Sequence, residues 1–291
     1  MPSLKDLKNR IKSVKSTQKI TKAMKMVAAS KLRRARDAAE NARPYAQAME
    51  AMVARLAQGY SDNATAPKLL VGTGKNQTHL LIAATADRGL CGAFNGSIVR
   101  SVRKQALALK AEGKTVYIYT IGRKGRDLLG TEFKENIIGS KTDIARKTVA
   151  YNAAEAIAIE VLKLIETKQI DVVTLTYNHF KSAISQVVTE QQLMPLAVAS
   201  GLSPVASDSY DYEPEEEVIL ADLLPRNFAM QLFKGLLESA ASEQGARMNA
   251  MENATKNAGE MIKKLSLKYN RTRQANITRE LIEIISGAEA L

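Results

Sequence analysis

"IKSVKSTQKITKAMKMVAASKLRRAR", residues 11–36, is the stretch on which the fold turns. Ala, Lys, Met and Leu are good helix formers, and nothing in the run breaks a helix. Residues 1–36 hold eight lysines and four arginines against Asp6 alone, so +11 of the chain's formal +12 sits in this one segment. The opposite bias appears at 208–217, "DSYDYEPEEE", with six carboxylates and no cation. A basic surface spread over the whole fold is therefore the wrong expectation.

Working outward, the helical pattern extends from Ser3 to about Gln58, with Pro44 expected to bend it. Ser3 reads as an N-cap, and Asp6 three residues on suits the positive end of the helix dipole. A helix of that span reaches on the order of 80 Å at 1.5 Å per residue. After Gly59 the texture changes. "HLLIAATA" (79–86), "KTVYIYTIG" (114–122), "DVVTLTYNHF" (171–180) and "SAISQVVTEQQLMPL" (182–196) read as strands. Helices at 98–113 and 148–169 alternate with them, and "DRGLCGAFNGS" (87–97) reads as a glycine-rich turn. That alternation predicts a mixed or parallel sheet with crossover helices. From Arg226 to Leu291 there is no proline, and one helix of up to about 60 residues is expected. The chain therefore divides into 1–58 (long N-terminal helix), 70–200 (α/β domain), 201–225 (acidic, Pro-containing connector) and 226–291 (long C-terminal helix). The fold class is α/β inserted between two long terminal helices, an antiparallel coiled coil plus a Rossmann-like mixed-sheet domain. Helices this long need a packing partner, and each terminal helix is the obvious partner of the other.

The faces of the first helix divide cleanly at its start. Leu4, Leu7, Ile11 and Val14 form one coiled-coil seam, and Lys5, Lys8, Lys12, Lys15, Lys19 and Lys22 fall within about a 100° arc beside it. The next seam positions are Gln18 and Thr21, whereas Ile20, Met24 and Val27 lie on a stripe rotated by more than 100°. The expectation is that the seam fails there and the helix changes neighbours. In the last block Phe228, Leu232, Leu236, Met248, Met251, Met261 and Leu265 supply the matching stripe.

Several functions find little support. Cys91 is the single cysteine, which excludes an internal disulfide and paired-cysteine metal sites, and His79 and His179 read as structural. No apolar run approaches the roughly 18 residues that would span a bilayer, and the charged N-terminus does not read as a signal peptide. "GTGK" (72–75) lacks the P-loop pattern, and Gly89, Gly92 and Gly96 do not make G-x-G-x-x-G. Asp87 and Arg88 read as a turn-stabilising pair. No catalytic constellation, cofactor or metal site stands out. A basic helical nucleic-acid- or polyanion-binding protein stays open as the alternative, though no aromatic precedes Tyr45 to stack on bases.

"TQKITKAMKMVAASKLRRAR" (17–36), "DRGLCGAFN" (87–95) and "YNRTRQANITRELIEIISGAEAL" (269–291) closely resemble the gamma-subunit family of the rotary ATP synthase. The motifs lie in order across essentially the whole chain, and the absence of a transit segment and of an added cysteine pair looks like the bacterial form. The resemblance implies a non-catalytic rotor shaft that binds no nucleic acid. Its partners would be the alpha and beta subunits of the catalytic hexamer, the epsilon subunit and the membrane ring of c subunits. It would lie peripherally on the cytoplasmic face of the bacterial inner membrane. By the same resemblance, the residues matching the family's rotor–stator contacts are Met24, Lys25, Arg88, Arg247, Arg273, Gln274, Thr278 and Glu280, with Met24 adjoining Arg273 and Gln274. The last turns, from Leu281, carry glutamates and no cation, which suits an end lodged in an apolar sleeve.

Overall fold

A computed structural model describes residues 3–58, 67–144, 148–196 and 216–289. Helix α1 runs Leu4–Gln58 and continues through Pro44. Its start is a reciprocal cap: the Asp6 N–H donates to Ser3 Oγ (3.1 Å), and the Ser3 N–H donates back to the Asp6 carboxylate (3.2 Å). There follow α2 (Lys68–Val71), β1 (Thr78–Ala84), α3 (Phe94–Ala111), β2 (Thr115–Ile121), α4 (Arg123–Leu129), β3 (Ile137–Lys141), α5 (Tyr151–Lys168), β4 (Val172–Phe180), β5 (Gln186–Met194) and α6 (Glu216–Glu289). The chain forms two compact units, 1–29 with 247–291, and 30–246.

The larger unit holds a five-stranded sheet in the order β3-β2-β1-β4-β5. The first four strands are parallel, and β5 runs antiparallel to β4. Central strand β1 is apolar on both faces, as a parallel strand covered on both sides must be. Leu80, Ile82 and Ala84 pack in a core with Ile157, Val161 and Ile165 of α5 and Phe228, Leu232 and Leu236 of α6. Leu81 and Ala83 face a second core with Phe94, Ile98, Val102 and Ala106 of α3. The alternation of one strand thus assigns one helix layer to each face.

Three features differ from the sequence expectations. Helix α3 starts at Phe94, inside the stretch expected to be a turn, because Phe94 and Asn95 are buried there as the helix begins. Helix α4 and the short edge strand β3 were not anticipated. Pro225 lies inside α6, which opens at Glu216 within the expected connector. Leu220 and Leu224 bury against Val53 and Leu56 of α1, so the turns before Pro225 are held by packing. The acidic stretch up to residue 215 falls outside the described residues.

The seam of α1 does not rotate. Its buried and half-buried positions keep the same heptad phase from Leu4, Leu7, Ile11 and Val14 through Gln18, Thr21, Lys25 and Ala28, and on to Leu32, Ala35, Ala39, Ala42, Ala46, Met49, Val53 and Leu56. Of Ile20, Met24 and Val27, the residues expected to carry a second stripe, Ile20 and Val27 are more than half exposed and Met24 is half-buried. Polar and small side chains occupy the seam instead of ending it.

Candidate functional site

In the smaller unit, α1 residues 4–29 lie antiparallel to the second half of α6. Lys25 Nζ is 2.7 Å from the Glu252 carboxylate. The Thr255 hydroxyl donates to Thr21 Oγ1 at 2.7 Å, and Gln18 Nε2 donates to the Thr255 carbonyl at 3.5 Å. A Cβ at Gly259 would come within 3.1 Å of Gln18 Nε2, so the small residue admits the amide. Gln18, Thr21 and Thr255 form a polar layer in the seam, one turn from the Lys25–Glu252 pair. Each hydroxyl also bonds a carbonyl of its own helix, Thr21 that of Gln18 (3.1 Å) and Thr255 that of Met251 (2.7 Å), which is what lets polar side chains sit in the seam without an orphaned group.

Apart from the seam, the surface of this unit is basic and then apolar. Lys5, Lys8, Lys12, Lys15, Lys19 and Lys22 are all exposed, as the face analysis expects. On α6 the half-buried positions continue to Asn276, and every described side chain from Ile277 to Ser286 is exposed. Ile277, Leu281, Ile282, Ile284 and Ile285 expose between 49% and 67% of their surface. That is an apolar helix face with nothing from this unit covering it.

The expected contact residues separate into groups. Arg273, Gln274, Thr278 and Glu280 are exposed near the α6 terminus. Arg273 and Glu280, seven apart, share one face, and Gln274 and Thr278, four apart, share the next. The Thr278 hydroxyl donates to the Gln274 carbonyl at 3.0 Å. Met24 and Arg247 are half-buried, and Lys25 is engaged by Glu252. The expectation that Met24 adjoins Arg273 and Gln274 is corrected by the register. Lys25 meets Glu252, which lies about 30 Å from Arg273 along α6 at 1.5 Å per residue. The carboxylate beside Met24 and Lys25 is therefore one of this chain's own.

Arg88 lies in the larger unit, exposed on the turn after β1. Asp87 does not pair with it. The Asp87 carboxylate accepts the N–H groups of Arg123 (3.0 Å) and Asp143 (2.9 Å), pinning the turn to the loops after β2 and β3. Asn95 Oδ1 accepts the Ala86 N–H at 2.9 Å from the other side. The pinned turn presents Leu90, 65% exposed with φ of 63°. Sequence reasoning missed Leu90, Glu252 and the polar layer. Aligning the two terminal helices antiparallel by their heptads would have found the last two.

Among the described residues no group of His, Cys, Asp and Glu could hold a metal ion, and no helix is long and apolar enough to cross a membrane. The model of a family described as ATP synthase matches residues 3–291. The ATP synthase gamma chain of Rhodospirillum rubrum is 58% identical over 299 residues, and that of Sinorhizobium medicae 56% over 292, each alignment covering all of both chains. A chain in the central stalk and c-ring structure of Tetrahymena thermophila mitochondrial ATP synthase is 38% identical with a TM-score of 0.61, covering 81% of this chain and 99% of that one. A chain of the Euglena gracilis mitochondrial enzyme, 20% identical with a TM-score of 0.68 over 99% of this chain and 94% of that one, shares the fold. Two terminal helices locked by a polar layer, an α/β domain between them and full-length identity above one half lead to one conclusion: the chain belongs to the ATP synthase gamma-chain family.

Proposed function

We propose that this chain is the central rotor shaft of a proton-translocating ATP synthase, coupling rotation of the membrane c ring to ATP synthesis or hydrolysis at the beta subunits. It makes and breaks no covalent bond itself. Its orientation selects among conformations of the catalytic sites around it, as a ligand selects among states. It sits peripherally on the cytoplasmic face of the bacterial inner membrane, held there by the epsilon subunit and the c ring. The contact residues are Met24, Lys25, Arg88, Arg247, Arg273, Gln274, Thr278 and Glu280.

The observation that carries this reading is the exposed apolar end of α6. A helix face of Ile277, Leu281, Ile284 and Ile285 left open to water favours association with an apolar sleeve. The exposed lysine stripe of α1 suits acidic protein surfaces met in turn, since partly solvated ion pairs of about 0–1 kcal/mol form and break easily. A nucleic-acid binder has no use for the apolar end.

The test has two parts. The native chain should copurify in one ATPase particle with one copy per three catalytic subunits. Replacing Leu281, Ile282, Ile284 and Ile285 by serine should abolish ATP-driven proton pumping or assembly, while the isolated chain keeps its unfolding midpoint because those side chains are already exposed. A chain that runs alone, or with RNA at high salt, would restore the polyanion-binding alternative.

A further inference from the structure

In the larger unit α6 buries the polar side chains of Asn227, Gln231, Glu238, Ser239 and Ser242. All but the first are satisfied. Gln231 Oε1 accepts from Gln191 Nε2 at 2.8 Å, and Glu238 takes the Phe180 N–H and Arg43. The Ser239 hydroxyl donates to the Ala84 carbonyl at 3.1 Å and the Ser242 hydroxyl to the Asn178 carbonyl at 2.8 Å. Asn227 is 0% exposed, yet neither its Oδ1 nor its Nδ2 has a hydrogen-bond partner among the described residues. Buried polar atoms are rarely left in this state.

The orphan stands two residues past Pro225, which lacks the N–H that would donate to the Ala221 carbonyl, so the ladder of α6 loses a bond here. The packing changes at the same point. Before the proline, Leu220 and Leu224 bury with Val53, Leu56 and Leu70; after it, Phe228, Ala229 and Leu232 bury in the core against β1 and β4. Half-buried Leu223 reaches across to the cluster of Met49 and Met230. The Arg226–Asp222 ion pair (3.1 Å) also bridges the junction, but its side chains are 63% and 66% exposed, where a pair contributes little. A lost ladder bond, a change of hydrophobic cluster and an unsatisfied buried amide thus coincide within residues 225–227. Opening the helix there gives the Asn227 amide water and leaves the core of the sheet intact.

We propose that Pro225 to Asn227 form a joint in α6, at which the turns before it, 216–224, open from α1 as one unit while α6 from Phe228 onward stays packed on the sheet. The joint lets the end of the larger unit where α1 stops and α6 starts yield to a load or a bound partner. It does not depend on the rotor reading. Hydrogen exchange of the full chain, read amide by amide, is the test. The amides of Leu220 to Leu224 should share one protection level, at least about tenfold below that of Phe228 to Leu237, with the step at the proline. Their exchange should depend little on urea, because a local opening exposes little surface, whereas that of Phe228 to Leu237 should follow global unfolding. Asn227→Leu keeps the volume and removes the orphan, and Pro225→Ala restores the N–H for Ala221. Each should slow exchange at Leu220 to Leu224 by about tenfold. Circular dichroism checks the fold of both variants, and the profile of the parent chain stands as a test by itself. Equal protection on the two sides of Pro225 overturns the proposal, as does a smooth gradient from the helix start with no step, which is fraying. So does exchange at Leu220 to Leu224 that neither substitution slows.

Discussion

Glu238 of α6 is the most informative residue to perturb. It is 3% exposed, and its carboxylate takes hydrogen bonds from two other elements and lies beside a histidine ring. Arg43 of α1 donates to Oε1 through Nη2 (2.9 Å) and Nε (3.3 Å), the Phe180 N–H donates to Oε2 (3.1 Å), and His179 Nδ1 lies 3.3 Å from Oε2. Glu238→Ala would orphan the Phe180 N–H at about 1–3 kcal/mol. The Arg43 bond adds about 1 kcal/mol rather than the full value of a buried pair, because that guanidinium is 41% exposed and regains water. The vacated volume adds about 1 kcal/mol more. The sum, roughly 3–5 kcal/mol, matches the cost of breaking a buried pair from one side. Glu238→Gln keeps the volume and one acceptor, and should cost about 1–2 kcal/mol. Urea unfolding followed by circular dichroism measures both, and thermal melts should place Glu238→Ala roughly 10 °C below the parent for a unit of this size. If Glu238→Ala fell within 1 kcal/mol of the parent, the carboxylate would not be tying α1 and β4 to α6. A cycle with Arg43→Met should return about 1 kcal/mol of coupling, and none would mean that the Phe180 contact acts alone.

Three further predictions concern other elements. Burial pushes the Asp171 carboxyl up, but the Thr73 hydroxyl, the N–H groups of Thr78 and Gln77, and Lys75 outweigh it and hold the group below its ordinary value. That stability is present above the unfolded carboxylate value of about 3.9 and is lost as pH falls through the lower folded value. Asp171→Asn should lower stability at pH 7 by about 1–3 kcal/mol and flatten the acid limb of the urea midpoint; an unchanged limb would refute this. In the polar layer, Thr255→Val should cost about 1 kcal/mol, and the double variant with Thr21→Val less than the sum of the singles, because both hydroxyls then leave together. Strict additivity would show that the two do not interact. Gly122 has φ of 91°, and a Cβ there would overlap the Thr85 carbonyl, so Gly122→Ala should destabilise by about 3 kcal/mol or more, read as a shifted urea midpoint.

The legible parts of this chain were those where one periodicity runs long. The terminal helices and the strands β1, β2 and β4 show themselves through apolar spacing, and the exposed face of Lys5 to Lys22 follows from the same arithmetic. Helix α4 and strand β3 are short, and β3 is half-buried throughout, so neither leaves a periodic trace. Judged by hydrophobicity alone, the heptad of α1 reads as ending at Gln18. Geometry holds the phase, and Thr255 and Gly259 on the other helix make polar occupants acceptable there. That information lies more than 230 residues away in sequence. A separation of 227 residues likewise hid Glu252 from Lys25, while the placing of Met24 beside Arg273 rested on the family resemblance and not on the residues. Pro225 read as a stop because its missing N–H is local, whereas the burial that carries the helix past it is not.

The end of α6 shows why its apolar stripe implies an external partner. Its half-buried positions stop at Asn276, and residues 277–286 add about 15 Å of helix at 1.5 Å per residue with every described side chain exposed. A helix of that length is marginal alone, because stability in short helices comes from packing of a face and not from propensity. A water-facing terminus would be expected to carry Lys or Arg against the negative end of the dipole, yet the last turn has no basic residue. Both deficits are removed by the same environment, an apolar collar that buries Leu281, Ile284 and Ile285 and excludes water from the terminal carbonyls. A polyanion would supply neither effect. Adding a cation by Ser286→Lys should therefore help the isolated chain, measured as a gain in helix signal, and hinder assembly into the ATPase particle. Improvement in both would mean that the end of α6 is a solvated terminus.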